Sequence, residues 1–176
     1  SYYFPAVAGA SGLLMHMDGP DGSNTFVDEA GKTVSVSGET QIDTSQFKFG
    51  GSSGLFDGAG DYLSIGDADD WNFGAGNFTI DFWVMIHAQP DYPTSDFCLY
   101  SQYVDINNYI LFHYFDNSDQ LQFQFSVMSG GVQIMDLRGL PNSPLTLDTW
   151  YHVAVQRKGN TATDWRIFLN GTAQTP

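Results

Sequence analysis

Phe78-Thr79-Ile80-Asp81-Phe82-Trp83-Val84-Met85-Ile86-His87 is the stretch whose reading decides the fold. Phe78, Ile80, Phe82, Val84 and Ile86 take every second place. Thr79, Asp81, Trp83, Met85 and His87 take the others. A period of two is the period of a pleated strand with one face on a core and the other turned outward. The same period returns further on. Leu121, Phe123, Phe125 and Val127 alternate with Gln122, Gln124 and Ser126. Tyr151, Val153 and Val155 alternate with His152, Ala154 and Gln156, and Trp165, Ile167 and Leu169 with Arg166 and Phe168. Less regular apolar runs at 13–17, 33–37, 54–56, 62–65, 97–103, 109–115 and 132–138 read as further strands. Turn-forming runs separate them, among them Asp18-Gly19-Pro20-Asp21-Gly22, Ser129-Gly130-Gly131 and Asn170-Gly171. No segment shows helical periodicity. Many short strands divided by turns predict an all-β, antiparallel sandwich.

The chain has 176 residues, of which 42% are apolar and 15% aromatic, so it can bury a core of its own. Twenty acids against six bases leave a net charge of −14. That balance argues against nucleic acid and anionic membrane surfaces as partners, since both demand a basic footprint. Glu29 and Glu39 are the only glutamates, so the acidity is almost all Asp, a residue of turns and caps. Cys98 is the single cysteine and has no partner for an intrachain disulfide. No run of 18 apolar residues is present, so no helical membrane insertion is expected. Residues 1–12 read as an N-terminal extension and 13–176 as one domain, with no linker between strands.

Three blocks carry a family resemblance. The first is Phe49-Gly50-Gly51-Ser52-Ser53-Gly54-Leu55-Phe56-Asp57-Gly58-Ala59-Gly60-Asp61-Tyr62-Leu63-Ser64-Ile65. The second is Phe73-Gly74-Ala75-Gly76-Asn77-Phe78-Thr79-Ile80-Asp81-Phe82-Trp83-Val84. The third runs from Leu145 through Trp150-Tyr151-His152-Val153-Ala154-Val155 and on to Phe168-Leu169-Asn170-Gly171. In this order, after the opening Leu13-Leu14-Met15-His16-Met17-Asp18-Gly19, they resemble the laminin-G-like jelly roll of the concanavalin A-like lectin/glucanase superfamily. The resemblance implies a jelly-roll sandwich. It also implies that the last strands of the family pattern, which follow Asn170-Gly171, are missing here or are supplied by a neighbouring subunit. The Asp-Gly-rich first loop is similar to modules of phage virion and tail-fibre proteins and of secreted bacterial adhesins. That likeness places the chain outside a cell or on a virion surface, among other virion or fibre subunits, with a homo-oligomer as one arrangement.

The superfamily that the chain resembles includes glucanases, which makes glycoside hydrolysis a candidate activity. A retaining glycosidase needs two carboxylates about 5–5.5 Å apart. Asp81 is the only acid on its strand, and Asp67-Ala68-Asp69-Asp70 reads as a loop. His16, His87, His113 and His152 lack zinc-ligand spacing. A non-catalytic protein is expected. Calcium is the metal the sequence suggests, from three oxygen-bearing loops: Asp18, Asp21 and Asn24; Asp57 and Asp61; and Asp105, Asn107 and Asn108. The third resembles the Asp-Asn start of the pentraxin calcium site, with Asn107 where an Asp would stand. The competing reading of all three is that these residues cap turns.

Glycan binding is the preferred function. Sugars stack their C–H faces on aromatic rings while carboxylates and amides take the hydroxyls. Asp81, Trp83, Gln122, Gln124 and His152 fall on outward strand positions, and Tyr103, Tyr92 and Trp71 are aromatic residues at or near loops. The expected partner is a glycan or cell-surface polysaccharide. Two rivals stand beside it. One is a structural capsid or fibre decoration protein that touches only other proteins. The other is a polysaccharide hydrolase.

Overall fold

The structure, a computed structural model, describes residues 12–88, 96–116, 121–139, 145–159 and 161–174. The extension expected over residues 1–12 lies outside them apart from Gly12, as does Tyr92. Twelve strands are present among the described residues: β1 (Val34–Ser37), β2 (Gln41–Asp43), β3 (Ser53–Leu55), β4 (Tyr62–Ile65), β5 (Phe78–Met85), β6 (Asp96–Asp105), β7 (Asn108–Asp116), β8 (Leu121–Ser129), β9 (Val132–Gly139), β10 (Trp150–Arg157), β11 (Trp165–Leu169) and β12 (Thr172–Ala173). The only helical pieces described are 3₁₀ turns at Asp69–Trp71 and Ala162–Asp164. Every strand pair is antiparallel. The chain gathers into two compact units, one up to Asn72 and one from Phe73.

The first unit holds two small ladders, β1 with β4 and β2 with β3. Phe26 and Ile42 are its buried apolar residues. Its buried polar groups are tied. Ser52 Oγ accepts from Gly19 N at 3.2 Å and donates to the Met17 carbonyl at 3.0 Å. Asp28 accepts from the N–H groups of Leu14 (2.8 Å), Ala30 (3.1 Å) and Lys32 (3.0 Å). Burial pushes the Asp28 carboxyl up, but those three N–H groups and the Lys32 charge outweigh it and leave it below the ordinary Asp value. The strand expected over residues 13–17 is reduced to a single bridge between Met15 and Asp28. Met17 has φ +58°, which breaks the extended run.

The second unit is the sandwich. One sheet is a meander ordered β6-β7-β8-β9, and the other is ordered β12-β11-β10-β5. The inward side chains are those that the alternation marked. Phe78, Ile80, Phe82 and Val84 of β5 join Val153 and Val155 of β10 and Trp165 and Ile167 of β11. They face Phe112 and Tyr114 of β7, Phe123 and Phe125 of β8, and Met135 and Leu137 of β9. Aromatic rings bridge the sheets: Phe82 to Phe112 at 5.2 Å, Phe125 to Trp165 at 5.9 Å and Phe78 to Phe125 at 6.4 Å. All three pairs are tilted, which suits the ring quadrupole better than a face-to-face sandwich.

Turn chemistry sets the registers. Asn170 (φ +49°) and Gly171 (φ +77°) make the two-residue turn between β11 and β12, and Gly130 (φ +57°) and Gly131 (φ +75°) make the one between β8 and β9. Two positive-φ residues match the right-handed twist of the flanking strands. At the other end of β10, Arg157 closes the sandwich. Its guanidinium lies 4.9 Å from the Phe78 ring and 5.1 Å from the Trp165 ring, its partners in register. It donates to the carbonyls of Phe73 (3.0 Å), Gly74 (2.8 Å) and Gly76 (2.8 Å).

Candidate functional site

The outer face of the β12-β11-β10-β5 sheet is built by register. His152 lies opposite Trp83, Ala154 opposite Asp81, and Gln156 opposite Thr79. On the far side of β10, Ala154 meets Phe168 and Gln156 meets Arg166. Period two places all these side chains on the face turned away from the core. Ala154 is the small member, so its larger neighbours stand above it.

Trp83, Asp81 and His152 form a cluster. The Trp83 and His152 rings are 5.3 Å apart and tilted by 37°. His152 Nε2 lies 3.0 Å from Asp81 Oδ2. An ionised carboxylate only accepts, so Nε2 carries a proton and donates, and Nδ1 is the ring nitrogen left for another partner. Among the described residues no donor reaches Asp81 Oδ1, and the Asp81 side chain is 55% exposed. Trp83 is 38% exposed, which is unusual for a tryptophan inside a strand. Asn170 braces the cluster from the neighbouring turn: its Oδ1 accepts from His152 N at 3.0 Å, and its own N–H donates to the His152 carbonyl at 2.8 Å. Gln156 Nε2 donates to Thr79 Oγ1 at 3.2 Å and extends the polar strip.

Gln122 and Gln124 belong to the other sheet and do not join this cluster. Gln124 Nε2 donates to Asp136 Oδ1 at 2.5 Å, and Arg138 donates to Asp136 Oδ2 at 3.3 Å while lying 6.0 Å from the Phe115 ring. These groups largely satisfy one another. Gln122 was expected on a solvated face, but it is only 3% exposed, and Ser126 is buried as well. Both sit on a central strand. Phe115 stands opposite Gln122, and Leu111 and Asp136 flank Ser126, so taller neighbours overshadow them. Tyr103 lies near the end of β6, where its ring stacks on Tyr109 at 6.2 Å. Trp71 is in the first unit, where its Nε1 donates to the Gly66 carbonyl and Lys32 lies over its ring.

Each of the three calcium candidates has a carboxylate that accepts backbone N–H groups. Asp105 Oδ1 accepts from Asn107 N (2.8 Å) and Asn108 Nδ2 (3.0 Å), and Asn108 Oδ1 accepts from Gly130 N (2.9 Å). Asp57 accepts from Ala59 N, and Asp61 accepts from Glu39 N and Asp57 N. Asp21 Oδ1 takes the Thr44 N–H and hydroxyl. Asp18 lies against Gly50, at a distance a Cβ there would not tolerate, and Asn24 is exposed. No group of three or more His, Cys, Asp or Glu side chains converges among the described residues.

The parity of β11 puts Phe168 and Arg166 on the outward side, as the alternation in the sequence indicates. Asn170 is the member of this face that sequence reading passed over, and the Asn-Gly turn carries its signal.

Two antiparallel sheets stacked on an aromatic core, with polar and aromatic side chains on an outer face, define a jelly-roll sandwich of the lectin type. A family model described as the concanavalin A-like lectin/glucanases superfamily matches residues 57–175, and the chain belongs to that superfamily. No curated protein and no solved structure matches the chain significantly.

Proposed function

We propose that this protein is a non-catalytic carbohydrate-binding module whose sugar contact is the Trp83–His152–Asp81 cluster. The observation that carries the reading is the exposed indole of Trp83 standing directly across the ladder from an Asp-bonded imidazole. An indole face accepts the C–H side of a pyranose, while Asp81 Oδ1 accepts a hydroxyl proton and His152 Nδ1 offers a second hydrogen-bonding group at its edge. Gln156, Thr79 and Arg166 continue the strip for a second sugar unit. The superfamily fold is compatible with this role.

The acid arrangement supports the absence of catalysis. Among the described strand side chains of the two four-stranded sheets, the acids are Asp81, Asp105 and Asp136. They stand on β5, β6 and β9, and no two are register partners. A glycosidase pair would need two carboxylates within ~5–10 Å across one face. Display on a virion or a secreted surface belongs to the same proposal and rests on sequence resemblance alone.

The test is a glycan array followed by titration calorimetry on the best ligand. Trp83→Ala should abolish binding, Trp83→Phe should retain part of it, and Asp81→Asn should weaken it at least tenfold. Trp83→Ala and Asp81→Asn proteins that bind as well as wild type would remove the site. An array without any bound glycan would favour a purely structural role.

A further inference from the structure

At one end of the meander sheet, two hairpins turn side by side. β6 and β7 are joined through Ile106-Asn107, and β8 and β9 through Gly130-Gly131. The turns are tied: Gly131 N donates to the Asn107 carbonyl at 3.0 Å, and Gly130 N to Asn108 Oδ1 at 2.9 Å. The tip they make is apolar. Val104 is 82% and Ile106 75% exposed, and Tyr103, Val132 and Ile134 are each more than half exposed.

This exposure is made by backbone irregularity. The β6–β7 register shifts between Tyr103 and Asp105, so Val104 is the extra residue of a bulge. The β8–β9 register pairs Val127 with Met135 and Met128 with Gln133, so Ile134 is the extra residue of a second. Bulges re-aim side chains. Here both aim an aliphatic β-branched side chain into water, where neither strand gains from it.

Charge separates the tip from the rest of the molecule. The chain carries −14 overall, but Asp105 is the only Asp, Glu, Lys or Arg among residues 97–115 and 121–135. Its carboxylate is already engaged by Asn107 and Asn108. Two copies of so acidic a chain repel through most faces. They repel least where this tip, with Asp105 as its one charge, meets another. The five side chains offer roughly 500 Å² per copy, near the top of the range for the largest patch on a monomer. A symmetric contact would hide about 1,000 Å² in all, the lower bound of a specific interface.

We infer that the tip formed by Tyr103, Val104, Ile106, Val132 and Ile134 is a self-association surface, with a second copy of this chain as its occupant. An isologous contact places each tip against its twin about a two-fold axis, so one patch serves both partners. The outer-face cluster at Trp83 belongs to the other sheet and has no part in this contact.

The experiment is sedimentation velocity on the full chain from 1 to 200 µM, in 50 mM and 500 mM NaCl. Wild type should show a reversible monomer–dimer equilibrium that tightens at high salt as the like charges are screened. Val104→Asp and Ile106→Asp should each raise the dissociation constant at least tenfold, and Val104→Ser should fall between. Both positions are exposed, so circular dichroism and melting should show the fold unchanged. A wild-type chain that stays monomeric at 200 µM overturns the inference. Equal association by the Asp variants, or association that weakens with salt, also overturns it. Binding to neutral phosphatidylcholine vesicles that the Asp variants abolish, without dimer formation, would reassign the tip to lipid.

Discussion

Arg157 should be the most consequential single charge in the sandwich. Its side chain fills the end of the core between Phe78 and Trp165 and draws three carbonyls of the 73–76 turn onto itself. Replacement by Met keeps the stem and the volume but removes every donor. Each lost charge-assisted hydrogen bond is worth about 1 kcal/mol once water has reclaimed the exposed carbonyls. Each of the two ring contacts adds about 0.5 kcal/mol at this level of exposure. The expected loss for Arg157→Met is therefore about 4 kcal/mol, within the ~5–15 kcal/mol stability of an ordinary domain. For a unit of about 100 residues that is a fall of roughly 15–25 °C in Tm. Arg157→Lys keeps the charge, but one ammonium cannot span three carbonyls, so about half the loss is expected. The assay is urea denaturation followed by tryptophan fluorescence, with the midpoint moving and the slope unchanged. A Met variant within 1 kcal/mol of wild type, or a Lys variant equal to wild type, would refute the clamp.

Four smaller predictions concern the buried carboxylate, the Asn-Gly turn and calcium. The Asp28 carboxyl sits below its ordinary value of 3.8, so the stability it contributes is full above that value and is lost as pH falls through its folded pKa. Asp28→Asn should flatten that acid limb and expose the Leu14, Ala30 and Lys32 amides to hydrogen exchange; unchanged protection would refute it. Gly171→Ala should cost ~1 kcal/mol from backbone strain alone, since φ is +77° and an added Cβ there meets nothing within 4 Å. Asn170→Ala should cost more by melting temperature, because the bond to His152 N goes as well. For calcium, carboxylates already holding N–H groups predict a Tm unchanged between excess EDTA and 1 mM Ca²⁺. A tight site, with Kd a thousandfold below that concentration, would instead add ~4 kcal/mol.

The strands that sequence reading placed best are those buried on one face. In β5, β8, β10 and β11 the core demands a large apolar side chain at every second residue, and that demand is written in the chain. β2 escaped notice because Gln41-Ile42-Asp43 has one apolar residue and no room to alternate. The opposite error came at residues 13–17, where an apolar run is bent at Met17 and the Leu14 N–H goes to the Asp28 carboxylate instead of a strand carbonyl. The outer face was half legible. Parity put Asp81 and Trp83 on one side of β5 and His152 on one side of β10. That β10 would lie beside β5, with more than sixty residues between them, is a property of the topology and of no local pattern.

The bulges at Val104 and Ile134 mark a further limit to such reading, and they also connect the site to the tip. Alternation assumes an unbroken pleat, so one inserted residue reverses the facing of everything after it. Val104 and Ile134 sit where that reversal occurs, and a period-two count assigns them to faces they do not occupy. The sheet without bulges keeps its parity from Trp150 to Arg157 and can hold Trp83, His152 and Asp81 in fixed register. The meander sheet is irregular at the tip, and once more within β6, where the register with β7 shifts between Cys98 and Tyr100. A rigid ladder suits a binding face, which needs preset geometry, and a bulged end suits a contact surface, which needs side chains thrown clear of the sheet. On that division of labour, a variant that repairs a bulge should abolish dimer formation and leave glycan affinity untouched. Deletion of Val104 is that variant, and dimer formation and glycan binding failing together would refute the separation.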